Sequence, residues 1–180
     1  MRRFTNRPPV RIALLLLIAT LGACSADAQP GRRSQRATVT QVVNGTELSI
    51  RYYRPSLRGR TPFPDVVNWG RTWTPGADSA TRIETSGDIE VEGSKLPAGK
   101  YSLWLIPLEK EDWTLIFSRA HTAFHLPYPD GQDALRVHVH PTTGSQMESL
   151  ALYFPVVDAD SAVMNVHWGT TVVPVRIRAR

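Results

Sequence analysis

The fold is indicated first by residues Thr38–Tyr53, whose sequence is TVTQVVNGTELSIRYY. Two runs rich in β-branched and aromatic residues flank Asn44-Gly45, the dipeptide best suited to a type I′ hairpin turn. In the second run, every second residue from Thr46 to Tyr52 shares one face, and the charged and small polar residues share the other. Because side chains alternate across a strand, this pattern predicts a half-buried antiparallel hairpin that turns at Asn44-Gly45.

The rest of the chain continues as short apolar runs separated by turn-forming residues, and turns are predicted at Lys95–Lys100 and Asp158–Ser161. No segment has the 3.6-residue apolar spacing that a core helix requires. The sequence therefore predicts an all-β fold, a single antiparallel β-sandwich of jelly-roll-like or Ig-like type, with one long irregular loop and little helix. The further strands are predicted at Thr81–Thr85, Ile89–Glu92, Tyr101–Pro107, Trp113–Ser118, Ala134–His140, Ser149–Phe154, Ala162–Trp168 and Thr171–Arg178.

The long irregular loop runs from Arg54 to Ala80, where prolines and glycines interrupt any regular element. A connection of this length inside a compact domain is uncommon, and such loops are usually either functional or disordered. This one carries large apolar side chains, which predicts that it is ordered and packs on the domain. Those side chains are Phe63, Val66, Val67, Trp69 and Trp73.

The N-terminus has the three-part layout of a bacterial secretion signal. Arginines precede an apolar run over Ile12–Leu21, which is too short to cross a bilayer because a spanning helix needs roughly 20 apolar residues. The motif Leu21-Gly22-Ala23-Cys24 resembles a lipobox, and Cys24 is the only cysteine of the chain. We therefore predict a lipoprotein signal peptide over residues 1–23 with lipidation of Cys24, the alternative being ordinary cleavage after residue 28.

We then expect residues 24–36 to form a flexible, arginine-containing tether and residues 37–180 to form a single β domain. Ser25, rather than an aspartate, follows the lipidated cysteine. By resemblance to bacterial lipoprotein sorting, this predicts an exported lipoprotein anchored by its lipid to the membrane, at the outer membrane and facing the periplasm. The alternative is a soluble periplasmic or secreted protein.

The formal net charge of +5 arises mainly in the leader. Removing the four leader arginines from the 21 lysines and arginines leaves 17, against 16 aspartates and glutamates. A nucleic-acid-binding domain would need a clustered basic surface. The sequence therefore predicts no nucleic-acid partner.

Several blocks spread over Ala37–Arg178 match one bacterial family. The blocks are Tyr53-Arg54-Pro55 with Gly59-Arg60, Trp73 with Gly76-Ala77-Asp78, Val91-Glu92-Gly93 through Leu96-Pro97-Ala98-Gly99-Lys100-Tyr101-Ser102-Leu103, Ile106-Pro107, and Trp113-Thr114-Leu115-Ile116-Phe117. On these blocks the chain resembles the domain of unknown function 2911 family, whose members look like exported proteins, often with lipoprotein leaders, and have no established activity. The chain departs from the family at two positions, where Thr74 replaces an arginine and Asp78 replaces an asparagine.

The long loop is also the region where aromatic, cationic and carboxylate side chains are densest, and we predict a ligand surface there. A tryptophan face can stack on a sugar, and guanidinium forks can hold carboxylate or phosphate. The alternative is a packed loop in which Asp65 or Asp78 pairs with an arginine. The predicted ligand-binding residues, expected to converge at one end of the sandwich, are Arg54, Arg60, Trp73 and Asp78.

A metal site is a weaker hypothesis. His138 and His140 project from one face of a predicted strand and could chelate zinc or copper, with His167 as a third ligand. The favoured alternative places both histidines with Arg136 on a polar outer face, so no cofactor is expected.

A second histidine-containing segment is a candidate for ligand contact. His121 and His125 flank Phe124 in a predicted loop, and the favoured alternative is a surface loop that covers one end of the sandwich. Asp65, Asp78 and His125 are the available acid/base residues, although the sequence does not show that they meet.

Two classes of function remain. We favour a noncatalytic binding or interaction module of the cell envelope, for carbohydrate, anionic envelope material or an envelope protein. The alternative is an envelope hydrolase or a His-ligated metal enzyme. The chain has no phosphate-binding loop, nucleophile elbow or paired-cysteine motif, so we favour a protein that is not an enzyme.

Overall fold

The computed structural model describes residues 34–180. The predicted signal peptide, Cys24 and nearly all of the predicted tether lie outside the described residues. The first strand begins at Gln35, two residues before the predicted start of the β domain. Within residues 34–180, no helix is long and apolar enough to cross a membrane.

The described residues form an all-β sandwich of two antiparallel sheets, which confirms the predicted fold class. The larger sheet has the strand order β1-β2-β3-β6-β7-β8, and the smaller has the order β5-β4-β10-β9. Strands β1 and β2 contact β9, and β8 contacts β5, so the sheets face each other along both sides. In chain order, the strands are β1 (Gln35–Val43), β2 (Thr46–Arg54), β3 (Arg82–Thr85), β4 (Ile89–Val91), β5 (Ser94–Leu96), β6 (Gly99–Ile106), β7 (Trp113–Ser118), β8 (Asp133–Val139), β9 (Thr142–Val157) and β10 (Ser161–Ala179).

The first hairpin forms as its sequence predicts. Asn44 and Gly45 have φ values of 45° and 76°, which are the two positive angles of a type I′ turn. Leu48 and Ile50 are completely buried on one face of β2, whereas Arg51 is exposed on the other. The alternation in the sequence therefore reports the inner and outer faces of this strand correctly.

The predicted break between strands Ala162–Trp168 and Thr171–Arg178 is wrong, because both belong to the continuous strand β10. Gly169, with a φ of 60°, lies at a shift in the register between β10 and β9 rather than at a turn. Such a bulge bends a strand without ending it. A glycine between two β runs can therefore mark either a turn or a bulge within one strand. Strand β9 also begins earlier than predicted, at Thr142.

The predicted turn over Lys95–Lys100 is also partly wrong. Its beginning lies in β5, whose Leu96 pairs with Ile89 of β4, and β6 already starts at Gly99. A three-residue strand is too short to show an alternating pattern, so the sequence does not reveal it. Among residues 34–180, the helical content is limited to one irregular turn over Pro62–Val66, in agreement with the prediction of little helix.

The core lies between the sheets. Leu103 and Leu105 of β6 are completely buried in it, and Met164, Val166 and Trp168 of β10 face them from the smaller sheet. Burying a side chain of this size contributes about 1.5–3 kcal/mol, so this layer provides most of the favourable free energy of folding. In the sequence Trp168 alternates with Met164 and Val166, a pattern that predicts a core position, and its burial confirms this.

A second, smaller apolar cluster lies on the outer face of the six-stranded sheet. Trp104 and Ile116 point outward from β6 and β7, yet both are completely buried. The β7–β8 loop, residues 119–132, covers them, and the ring of its Tyr128 lies 5.2 Å from that of Trp104 at 79°. This loop was predicted to cover one end of the sandwich, but it packs on a sheet face instead, because Trp104 offers an apolar surface there.

Candidate functional site

The long connection between β2 and β3 packs on the sandwich, as predicted. Its Leu57 donates a backbone hydrogen bond to Glu148 of β9 at 3.0 Å. Further along, Trp73 and Leu105 of β6 exchange two backbone hydrogen bonds of 2.8 and 2.7 Å. These bonds satisfy polar groups of the connection at two separate places, so its path is defined by the strands beside it.

The aromatic side chains of the connection join an aromatic cluster, which consists of Phe63, Trp69, Trp73, Trp113 and Trp168. Phe63 stacks on Trp69 at 5.2 Å and meets Trp113 and Trp73 edge-on at 4.8 and 5.7 Å. Trp73 in turn stacks on Trp168 at 5.8 Å and 16°. Aromatic pairs in these geometries add about 0.5–1.5 kcal/mol beyond their burial, so the cluster fastens the connection to the core.

The two predicted arginine ligands hold backbone carbonyls. The Nε of Arg54 donates to the carbonyl oxygen of Leu150 at 2.9 Å, and the Nε of Arg60 donates to that of Leu57 at 3.0 Å. These bonds attach Arg54 to β9 and close a turn at Arg60. Part of each guanidinium is therefore used for the fold.

The other two predicted ligands, Trp73 and Asp78, have partners in other parts of the chain. Trp73 belongs to the aromatic cluster, whereas the carbonyl oxygen of Asp78 accepts bonds from the N and Nδ1 of His125 in the β7–β8 loop, at 3.1 and 2.5 Å. These bonds join Arg54 to β9, Trp73 to β6 and Asp78 to the β7–β8 loop. The convergence of the four side chains on one ligand surface stays a prediction.

Thr74, which replaces the arginine of the family pattern, organises the loop that follows it. Its buried hydroxyl donates to the carbonyl of Leu103 at 2.8 Å and accepts from the backbone N–H of Thr81 at 2.9 Å. The hydroxyl of Thr81 donates to Pro75 at 2.8 Å. A side chain at Gly76 would lie 2.8 Å from that hydroxyl, so the closed loop requires glycine there.

A cleft that contains one of the long-loop tryptophans lies at one end of the sandwich, and we name it the end cleft. It forms where Trp69 meets residues 108–113, from the β6–β7 connection and the start of β7, and residues 140–143, from the β8–β9 connection and the start of β9. Thr171 of β10 completes the lining, and the volume is about 330 Å³. This volume is at the lower end of the range of small-molecule sites.

The lining of the end cleft is aromatic on one side and polar on the other. Trp69, which is partly exposed, supplies the aromatic surface, because Trp113 is only 2% exposed. Two other clefts, of about 380 and 390 Å³ beside β4 and β10, carry no aromatic side chain in their lining. The polar groups of the end cleft are the carboxylates of Glu109, Glu111 and Asp112, the ammonium of Lys110, the imidazole of His140 and the hydroxyls of Thr142, Thr143 and Thr171.

One polar contact inside the end cleft links two of its loops. The Nδ1 of His140 lies 2.7 Å from Oδ1 of Asp112, and because a carboxylate only accepts, the imidazole nitrogen is the donor. The His140 side chain is 80% exposed. An exposed pair contributes little to stability, so its effect is to orient the imidazole rather than to hold the loops.

The histidines of the metal hypothesis do not meet. His138 and His140 lie with Arg136 on the exposed face of β8 and just beyond its end, while Val137 and Val139 are buried, as the alternative predicted.

His167 is buried, and both of its ring nitrogens have partners. Nδ1 lies 3.1 Å from the hydroxyl of Tyr153, and Nε2 lies 2.9 Å from the carbonyl of Ser145. Within residues 34–180, no three histidine, cysteine, aspartate or glutamate side chains form a group that could hold a metal ion.

The pKa values mark two groups as structural. The backbone N–H and then the hydroxyl of Thr61 donate to Asp65, and these bonds lower the pKa of its carboxyl. Burial, together with a hydrogen bond to the Asp133 carboxylate, raises the pKa of Tyr128 to about 12. Asp65, an acid/base candidate from the sequence, is thus the acceptor of a tight turn, and Tyr128 stays protonated at neutral pH.

Comparison with known proteins gives one match. The family model described as "Protein of unknown function (DUF2911)" matches residues 34–177. The match confirms the resemblance drawn from the sequence blocks. No curated protein and no solved structure matches the chain.

Proposed function

The chain belongs to the DUF2911 family, whose description assigns no activity, and we propose that it is a noncatalytic carbohydrate-binding module of the cell envelope. The observation that carries the proposal is the end cleft, in which Trp69 lies beside a row of carboxylates and threonine hydroxyls. The lining of the end cleft contains none of the four predicted ligand residues, although Trp69 belongs to the same long loop.

The chemistry of the end cleft suits a sugar. One face of a pyranose ring is apolar and stacks on an aromatic side chain, while its rim of hydroxyl groups needs donors and acceptors. Trp69 provides the aromatic surface, and the carboxylates of the connection between β6 and β7 are strong acceptors. A few polar groups placed around an apolar wall are the usual composition of a specific small-molecule site.

The charge of the end cleft favours one class of sugar. Three carboxylates line it, from Glu109, Glu111 and Asp112, against the single permanent cation of Lys110. This surplus of negative charge repels an anionic polymer, attracts a protonated amino sugar and does not oppose the binding of a neutral sugar. We therefore assign neutral or amino sugars to the end cleft and exclude acidic glycans from it.

The end cleft predicts the result of one substitution. Trp69→Ala should weaken binding by at least about tenfold, since truncating an aromatic anchor costs about 2 kcal/mol or more and 1.4 kcal/mol is a factor of ten. Isothermal titration calorimetry of the full chain with oligomers of N-acetylglucosamine and of glucose measures this loss. Phe124→Ala, which removes an exposed aromatic ring outside the cleft, is the matched control and should leave the affinity unchanged. If the parent and Trp69→Ala bind the oligomers with equal affinity, the end cleft is not the binding site.

The contact between His140 and Asp112 favours a second candidate, an envelope hydrolase with His140 as general base. The exposure of the imidazole argues against it, because acid/base groups act most strongly where water is excluded. Chromatography of the same oligomers after incubation separates the candidates. Products that form with the parent and not with His140→Ala would favour the hydrolase over the binding module.

The proposed location rests on the leader. We expect Cys24 to be the mature N-terminus, carrying a thioether-linked diacylglycerol that holds the protein at the outer membrane. Mass spectrometry of the purified mature protein tests this, and Cys24→Ser is the matched variant because it keeps the leader but lacks the thiol. A mature N-terminus at Gln29 without lipid would show that the ordinary cleavage site is used.

A further inference from the structure

Two arginines lie directly opposite each other on the outer face of the six-stranded sheet. Arg51 of β2 and Arg82 of β3 are register partners. In the next row of that face, Ser49 pairs with Glu84, which pairs with Lys100 of β6. The two guanidinium groups therefore project side by side from neighbouring strands.

The neighbouring carboxylate does not neutralise these arginines. Glu84 lies 3.4 Å from Lys100 and forms its ion pair there. Within residues 34–180, neither Arg51 nor Arg82 forms an ion pair or a side-chain hydrogen bond. Like charges directly opposite each other in a sheet are destabilising, so this arrangement lowers the stability of the unliganded domain.

The two arginines open into a small polar pocket, which we name the arginine pocket. It has a volume of about 210 Å³, and its other lining residues are Ser49, Glu84, Lys100 and His121. This leaves room for a phosphate group with several waters, since a water molecule occupies roughly 30 Å³ in the liquid. His121 comes from the β7–β8 loop, so the pocket lies between the sheet and that loop.

We propose that the arginine pocket binds a phosphate group, a site separate from the end cleft and independent of the carbohydrate proposal. Guanidinium forks match the oxygens of phosphate in pairs, and at neutral pH a phosphate group carries about −1 charge as a diester and about −1.5 to −2 as a monoester, which offsets one or both guanidinium charges. Bound phosphate would remove the repulsion between Arg51 and Arg82. The proposed role of the bound anion is therefore to balance the positive charge of the two arginines.

The loop that supplies His121 to the pocket also carries exposed apolar side chains. Phe124 and Leu126, in this β7–β8 loop, are 57% and 62% exposed. A basic pocket and exposed apolar side chains on one loop suit the surface of an anionic bilayer, where headgroup and acyl region lie within a few ångströms of each other. A phospholipid headgroup and a soluble phosphate ester are therefore the two sources of phosphate that the test must separate.

The first arm of the test uses inorganic phosphate and pyrophosphate with the full chain, measured by isothermal titration calorimetry. Arg51→Gln and Arg82→Gln should each weaken binding by about tenfold or more, which corresponds to the loss of one charge-assisted hydrogen bond. Arg178→Gln is the matched control, because Arg178 is an exposed arginine of the other sheet that pairs with Asp160. Undetectable binding to the parent, or equal weakening by Arg178→Gln, would overturn the proposal.

A second readout distinguishes binding from a structural role. In buffer without phosphate, Arg51→Gln and Arg82→Gln should keep or raise the melting temperature, because each removes a like-charge contact. In buffer with phosphate, the parent should gain melting temperature and the two variants should not. A loss of melting temperature by both variants without phosphate would mean that the arginines support the fold, and the proposal would fail.

The vesicle arm identifies the source of the phosphate. Vesicles of phosphatidylglycerol mixed with phosphatidylcholine are compared with vesicles of phosphatidylcholine alone, using the full chain and its Arg82→Gln and Phe124→Ser variants. If the source is a lipid headgroup, both substitutions reduce the part of the binding that depends on phosphatidylglycerol, while Phe124→Ser keeps its affinity for inorganic phosphate. If the parent binds both kinds of vesicle equally but binds phosphate through the arginines, the phosphate site stands and its ligand is a soluble ester.

Discussion

Replacing Trp168 with alanine is expected to lower the free energy of unfolding by about 3–5 kcal/mol, the usual cost of truncating a buried tryptophan. Trp168 is 2% exposed and belongs both to the layer between the sheets and to the aromatic cluster, where it stacks on Trp73. For a domain of this size, each kcal/mol lowers the melting temperature by about 2–4 °C, so a loss of roughly 10 °C is expected. Urea and thermal unfolding, followed by circular dichroism, measure both quantities.

Two companion variants identify the origin of this loss. The indole Nε1 of Trp168 is buried and has no hydrogen-bond partner within residues 34–180, so Trp168→Phe should keep the stacking, remove an unsatisfied donor and cost much less than alanine. Trp69→Ala should also cost less, because Trp69 is partly exposed beside the end cleft. If Trp168→Ala costs no more than Trp69→Ala, then the long connection is not held to the core through the Trp73 and Trp168 stack.

The second large effect is expected at Gly169. Alanine at this position is expected to cost about 3 kcal/mol, because a left-handed backbone costs a non-glycine residue roughly 1–2 kcal/mol and overpacking adds about 1–3 kcal/mol. A Cβ at Gly169 would lie 2.9 Å from two ring carbons of Pro62, and a proline ring cannot rotate away. Chemical denaturation of the full chain measures the loss.

Gly93 provides the matched control for this substitution. It has a φ of 78°, and a Cβ there would meet no atom within 4 Å. Gly93→Ala should therefore show the backbone cost alone, about 1 kcal/mol. Equal losses at the two glycines would mean that Pro62 moves away easily, and that the bulge in β10 does not depend on its contact with the long connection.

The positions of Trp69 and Trp73 show a feature of the site that the sequence does not predict. The sequence correctly predicted that the region would be ordered and would pack on the domain. It favoured Trp73 rather than Trp69 as a ligand residue, and the structure shows that Trp73 stacks on Trp168 whereas Trp69 lines the end cleft. Both tryptophans have the same neighbours in kind, namely prolines, glycines and arginines, so no local signal distinguishes them.

The end cleft itself has a weak signal in the sequence. Residues 108–112 follow one predicted strand and precede the next, and charged residues in such a connection usually face solvent. The approach of His140 to Asp112 depends on the pairing of β7 with β8, in which Trp113 lies opposite Val139. Once that register is known, the two side chains are neighbours at the same end of the sheet. The contact between Asp112 and His140 can therefore be predicted only after the pairing of β7 with β8 is known.

The sequence by itself was sufficient for the features that arise from neighbouring residues: the type I′ hairpin at Asn44-Gly45, the inner and outer faces of β2, and membership of the family. Steric limits on φ and the alternation of side chains act within a few residues, so they can be read locally. The meaning of Gly169, the partner of Trp73 and the side-by-side arrangement of Arg51 and Arg82 required the folded chain. These depend on contacts between residues far apart in sequence, and such contacts are chosen by the packing of the whole sandwich.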